Sequence, residues 1–415
     1  MIKKSTILVL AILMTFFSVS CSCSDERAET QNNIVASSTT QATQTLTTVT
    51  TSISTTTVTT QPIATKGQKP KPKPTTAKQE ESVIDRTLKS MTLEQKVGQM
   101  FIVCSRDESM RESVDKYQFG GLVLFSKDFE GKTKETAKAM IDSYQKSSKT
   151  PMIVSVDEEG GEVNRVSLHK AFRETPFMSP QELYKKGGFG LVVFDAKEKA
   201  QLLLSLGINV NLAPVSDVAH NGSYIFDRTF GDNVKLTNEF VSRVVTVNNQ
   251  QKLGSVLKHF PGYGDNENTH TGIAYDNRPY SQFEQTDFLP FISGIKSGAG
   301  AVLVSHNIVK SMDANFPASL SPNAHKILRE KLGFDRVIMT DDLYMDAIKD
   351  YTGGDASKAA IQAIKAGNDL LCCSDFNVQI PAAITAVKSG EISIKRVEES
   401  VRRILEWKQT LGIIK

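Results

Sequence analysis

The sequence predicts a single (β/α)8 TIM-like barrel over residues 81–415, one catalytic domain behind an exported, non-globular N-terminus. Short apolar runs alternate with amphipathic helical stretches along this region. The runs are apolar at nearly every position instead of every second one, as strands covered on both faces require. No Gly-rich phosphate fingerprint follows the first run, which speaks against an open doubly wound sheet.

In chain order, residues 1–24 read as a lipoprotein signal peptide with its lipid-attachment region. Lys3 and Lys4 precede the apolar stretch Ile7–Phe17, which is shorter than the ~20 residues a membrane-spanning helix needs. Ser18-Val19-Ser20-Cys21 resembles a bacterial lipoprotein cleavage site and makes Cys21 the expected lipid-bearing residue, with Cys23 second. Such sites usually carry Leu where this chain has Ser18, and plain secretion or an uncleaved anchor are the alternatives. The expected location is the extracellular face of a bacterial cell membrane. Residues 25–80 contain no Phe, Tyr or Trp, and 17 of these 56 residues are Thr. Such a segment has too little apolar surface to offset the entropy of ordering it. Its end, Lys69-Pro70-Lys71-Pro72-Lys73-Pro74, favours an extended spacer.

The predicted strands follow at Gly121–Phe125, Met152–Val156, Val210–Pro214, Ser255–Lys258, Ala301–Ser305, Val337–Thr340 and Asp369–Cys372, with an eighth poorly marked. Between them lie helical stretches at Lys132–Lys146, Val192–Leu206, Leu236–Lys252, Pro322–Leu332 and Ala356–Ala366. Eight such units close a barrel, whose active site sits past the C-terminal strand ends. The balance of 49 Lys plus Arg against 46 Asp plus Glu leaves a charge of +3, too small and dispersed for a nucleic-acid surface. Past the signal only Cys104, Cys372 and Cys373 remain. Their number is odd and their spacing is not that of a metal site, so buried thiols are expected, with no metal and no cofactor.

Polar residues cluster where the barrel rule places a site. Asp157-Glu158-Glu159-Gly160-Gly161 and Arg165 follow one strand, and Asp217 and Asp227-Arg228 the next. Lys258-His259-Phe260-Pro261-Gly262-Tyr263-Gly264, with a polar loop ending at His270, follows a third. Ser305-His306-Asn307 and Asp341-Asp342 follow two more. Asp157 to Arg165, Asn211 to Val218, Lys258 to Gly264 and Thr340 to Leu343 stand in an order that resembles glycoside hydrolase family 3. Within it, the chain looks like the bacterial β-N-acetylglucosaminidases. The likeness spans residues 85–415, and the second α/β domain that β-glucosidases of the family usually carry is not expected.

The resemblance implies a retaining mechanism with Asp341 as nucleophile and His270 as acid/base. A carboxylate directly after a buried strand suits attack on an anomeric carbon. The bland alternative has Asp341 and Asp342 capping a helix at Leu343–Ile348. An imidazole exchanges protons near neutrality, which suits both halves of the reaction. Similar enzymes hold that histidine with an Asp two residues earlier; here the position is Asn268. Its carbonyl can fix the tautomer, but the missing charge predicts weaker acid catalysis unless Asp265 or Glu267 supplies it. Asp157, Arg165, Arg228, Lys258 and His259 match positions that bind the sugar, although Asp157 and Arg165 could simply pair with each other.

Trp407, the single tryptophan, lies on an amphipathic C-terminal helix and reads as core. Without aromatic platforms the chain is expected to take one terminal sugar at a time. The expected activity is exo-β-N-acetylglucosaminidase (β-N-acetylhexosaminidase) on cell-wall-derived glycans, by a monomer whose partners are that glycan and the membrane. The alternatives are a β-glucosidase, a β-xylosidase, a phosphate-using phosphorylase of the same family, or a non-catalytic sugar-binding lipoprotein.

Overall fold

The computed structural model describes residues 81–105 and 109–415. The expected signal peptide, Cys21, Cys23 and the 25–80 segment lie outside the described residues. Eight parallel strands are β1 Phe101–Cys104, β2 Gly121–Leu124, β3 Ile153–Val156, β4 Val210–Asn211, β5 Gly254–Phe260, β6 Ala301–Val304, β7 Val337–Thr340 and β8 Leu371–Cys373. They pair in the order β8-β1-β2-β3-β4-β5-β6-β7. A parallel bridge between Met339 and Leu370 joins β7 to β8 and closes the barrel.

The strand that was hardest to see is β1. It follows the helix Leu93–Gln99 almost at once, and the buried residues Val97 and Met100 run into Phe101 with no turn residue between. Periodicity therefore does not change visibly at the boundary. At the other extreme β4 has two residues, and Pro214, which has no N–H, interrupts the pairing beyond it. Leu212 N–H still reaches Val156 O at 2.8 Å, and Val256 N–H reaches Ala213 O at 3.0 Å.

Alternate strand residues point inward, among them Ile102, Val123, Ile153, Val256, Leu303 and Met339. The C-terminal helix Ile394–Thr410 completes this inner core, for Ile404 and Trp407 belong to the same cluster. Trp407 comes so close to the backbone before β6 that a Cβ on Gly300 would lie 2.0 Å from its indole nitrogen. Only glycine leaves that room. Asp369 locks the helix in place: its buried carboxylate accepts from Ser400 Oγ at 2.7 Å, Arg403 at 3.0 Å and Ile338 N–H at 3.0 Å, and it also pairs with Arg329 and Arg396.

One turn further on, Lys408 is buried with its ammonium on Gln99 Oε1 at 2.7 Å. Burial pushes this amine down to about 7 from an ordinary 10.5. Between those values the unfolded chain holds a proton that the folded one lacks, so the lysine's penalty shrinks, and stability rises, as pH rises through that window. Below pH 7 both states are protonated and the penalty is constant. Lys408→Met removes the titrating group. In urea melts at pH 7, 8, 9 and 10, the stability of the variant relative to wild type should fall steadily with pH. A difference that stays flat would show that Lys408 is not the linked group.

Candidate active site

The loop after β3 folds around a carboxylate. Glu158, 0% exposed, accepts the N–H groups of Arg165 at 2.8 Å, Val166 at 2.7 Å and Ser167 at 3.1 Å, and also the Ser167 hydroxyl. Asn211 on β4 pairs with the Glu158 backbone, its Oδ1 accepting at 3.0 Å and its Nδ2 donating at 2.9 Å. This clamp presents Asp157 and Glu159 on either side of it.

Those two acids share a lysine. Lys258, at the end of β5, places Nζ 2.6 Å from Asp157 Oδ1 and 2.6 Å from Glu159 Oε1. Arg228 grips Glu159 with two prongs, at 3.0 and 2.8 Å. Burial works against the charges of Glu159, Lys258 and Arg228, and for each of the three the opposite charges win. Lys258 and Arg228 hold the Glu159 carboxyl far below the usual carboxylate range. Asp157 and Glu159 raise Lys258, and Glu159 raises Arg228. Lys199 braces the same turn from behind, donating to Glu159 O at 3.0 Å while paired with Asp195 at 3.1 Å.

Asp217, past β4 and 0% exposed, orders the next layer. Its Oδ2 accepts from His259 N at 3.1 Å and Nδ1 at 2.8 Å, and its Oδ1 from Tyr263 N at 2.7 Å. With the proton thus assigned to Nδ1, Nε2 of His259 is left to accept from Arg228 at 3.4 Å.

Asp341 and Asp342 follow β7 and behave oppositely. Burial would raise Asp341, but His306, His259, the Asp342 N–H at 2.8 Å and His270 bring its carboxyl below the ordinary 3.8. Burial pushes the His306 imidazole itself down. It therefore adds little positive charge at neutrality, and the Asp342 amide is the donor in direct contact with Asp341. Asp342 is raised, chiefly by burial, despite its bonds to Ser374 Oγ and Tyr344 N. His306 contacts the Asp342 carbonyl through Nε2 at 3.0 Å and Ser319 Oγ through Nδ1 at 2.7 Å. The following helix, Asp346–Thr352, starts after Met345, so neither acid caps it.

His270 is exposed, and its N and Nδ1 approach Asn268 Oδ1 at 2.9 and 2.7 Å. Of the two carboxylates that could stand in for an aspartate at 268, Asp265 is paired with His220 at 3.0 Å, and Glu267 is exposed.

One cleft of about 510 Å³ collects Asp157, Arg165, Arg228, Lys258, His259, His270, Asp341 and Asp342, a volume within the ~300–1,000 Å³ typical of small-ligand sites. Asn268 stands behind His270 instead of lining it. Asp157 is paired with Lys258, not with Arg165, whose buried Nε has no hydrogen-bond partner among the described residues. Sequence reasoning assigned no role in the cleft to Cys104, Cys372, Tyr224 or Tyr263, which also line it. Cys104 and Cys372 bring their sulfurs to 3.8 Å on the cleft floor. Tyr224 is 43% exposed at the mouth, an aromatic face the tryptophan count could not reveal. Tyr263 hid inside a glycine-rich motif. No group of three or more His, Cys, Asp or Glu among the described residues is arranged to hold a metal ion.

Comparison with known proteins agrees with this architecture. The model for the glycosyl hydrolase family 3 N terminal domain matches residues 92–407. A beta-hexosaminidase of Xanthomonas campestris pv. campestris is 32% identical over 262 residues, covering 60% of this chain and 76% of the relative. One from Methylobacillus flagellatus is 31% identical over 270 residues, covering 61% and 73%. The solved structure of a glycoside hydrolase family 3 beta-N-acetylglucosaminidase from Paenibacillus sp. str. FPU-7 superposes with a TM-score of 0.73 at 28% identity, covering 78% of this chain and 63% of that one. This chain, a closed parallel barrel with its acids at the C-terminal strand ends, belongs to glycosyl hydrolase family 3.

Proposed function

We propose that this glycoside hydrolase is a retaining exo-β-N-acetylglucosaminidase. In this reading it removes terminal N-acetylglucosamine from cell-wall-derived glycans while held outside the cell by a lipid on Cys21. The hexosaminidase activity is supported by the relatives, and the observation that carries the mechanism is the opposed pair at 341 and 342. Two adjacent acids pushed apart in this way take different roles. Asp341 remains ionised and open to the cleft, ready to attack the anomeric carbon.

His270 supplies the proton. With Nδ1–H directed at Asn268, the imidazolium form carries its second proton on Nε2 facing the cleft, gives it to the leaving oxygen, and the neutral ring then takes one from water at Nε2 as the glycosyl-Asp341 ester is cleaved. The row formed by Asp157, Lys258, Glu159 and Arg228 offers alternating acceptors and donors to sugar hydroxyls. Arg165 brings an uncommitted Nε–H, and a ligand carbonyl or hydroxyl would satisfy it.

The test is hydrolysis of p-nitrophenyl N-acetyl-β-glucosaminide against the corresponding β-glucoside. A strong preference for the N-acetyl sugar is expected, and Asp341→Ala should lower kcat by roughly 10⁴-fold or more, as removal of a nucleophile does. Folded protein that binds the sugar but turns over neither substrate would favour a binding lipoprotein. Asn268→Asp supplies the absent charge and should raise kcat/KM on poor leaving groups more than on good ones. An equal effect on both would remove the dyad from the mechanism.

A further inference from the structure

His270 lies on an exposed loop and leans on a neutral partner. Such a hydrogen bond has about half the strength of one to a charged group, so the alignment of the imidazole must be fixed elsewhere. The residue between His270 and Asn268 is the buried one. Thr269 is 0% exposed; its hydroxyl is hydrogen-bonded to the Tyr263 phenol, and its carbonyl accepts Ala347 N–H at 3.2 Å from the helix Asp346–Thr352. Tyr263 is itself 2% exposed and anchored through its N–H to Asp217, the carboxylate that also holds His259. On the far side, Asn266 Nδ2 donates to Asp276 Oδ2 at 2.6 Å. Asp276 belongs to a short ribbon formed by Tyr275–Asp276 and Ile308–Val309.

We propose that the Tyr263–Thr269 hydroxyl pair fixes His270 for proton transfer and ties it, through Asp217, to His259 on the sugar-binding side. This inference rests on the acid/base reading of His270. Both hydroxyls act through the histidine, so Tyr263 and Thr269 are positioning residues. The anchor works because residues 268 and 270 flank it: any displacement of Thr269 moves the imidazole and its partner together. Two tethers, one to the loop after β5 and one to the helix after β7, leave Thr269 little freedom to slide. Burial also raises the phenol of Tyr263 above its ordinary value, so the pair stays uncharged over the working pH range.

The experiment compares kcat/KM, which reports the first bond cleavage, for the 2,4-dinitrophenyl and the phenyl N-acetyl-β-glucosaminides on the full chain. The dinitrophenolate leaves with little protonation; phenolate does not. Misplacing a catalytic group by about 1 Å can cost ~10²-fold. Tyr263→Phe and Thr269→Val should therefore each lower the phenyl value by roughly tenfold or more and the dinitrophenyl value by less than about threefold. Thr269→Ser keeps the hydroxyl and should restore the phenyl value. The double variant should be no worse than either single one, as for two halves of one contact. Equal losses on both substrates, or additive losses in the double variant, would overturn the proposal. His270→Ala is the reference. If it shows no leaving-group dependence, the acid/base reading falls and the clamp with it. If it does and Tyr263→Phe does not, the clamp alone falls. Should Tyr263→Phe fail to fold, Thr269→Val against Thr269→Ser makes the same comparison.

Discussion

Glu159 is a carboxylate with almost no access to water, and it remains charged because Lys258 and Arg228 reach it from two other parts of the barrel. Taken with Asp157, the four charges alternate in sign and sum to zero. That balance is what makes the arrangement tolerable away from water, since removing one member of a buried pair commonly costs about 3–5 kcal/mol. It also has a mechanical consequence. The end of β3, the segment carrying Arg228 and the end of β5 must meet at one point, so the proposed sugar-binding wall is set by the same interaction that holds these strand ends together.

Asp341, the carboxylate proposed as nucleophile, is placed by a different device. Asp342 donates its N–H to Asp341, while its own carbonyl contacts His306 and its carboxyl is held by Ser374 and Tyr344 N. One residue thus fixes its neighbour through the backbone and is itself fixed by groups from β6, β8 and the loop beyond β7. The arrangement separates tasks that a single acid could not combine. Asp341 must be ionised and reachable, whereas the group that steadies it can be deep and can tolerate a raised pKa.

Much of this was legible in the chain. The strand-end rule found Asp157, Lys258, His259 and Asp341 because a parallel barrel carries its functional groups at one end, and apolar runs mark where each strand stops. What stayed hidden was pairing. Nothing local says that Lys258 chooses Asp157 and Glu159 over other acids, that Asp265 turns to His220, or that Trp407 closes the barrel core beside Gly300. Those contacts join residues tens to hundreds of positions apart, and each is decided by geometry that exists only once the barrel has closed. Tyr224 was missed for a related reason. An aromatic residue in an irregular loop has no periodicity to mark it, and its value depends on which cleft the loop overhangs.

The contrast between Glu159 and Asn268 shows where charge is worth placing. At Glu159 solvent is excluded and charges act on one another with little screening, so a neutral residue there would leave Arg228 without its carboxylate and Lys258 with Asp157 alone. At Asn268 the histidine it serves is exposed, and water and salt weaken any ion pair across the loop. A carboxylate would contribute less there than in the interior. Orientation, in contrast, is not screened by solvent. The chain accordingly has a neutral side chain beside His270 and buries the residue between them, so that in its proposed acid/base role His270 depends more on where Thr269 is held than on the charge next to it.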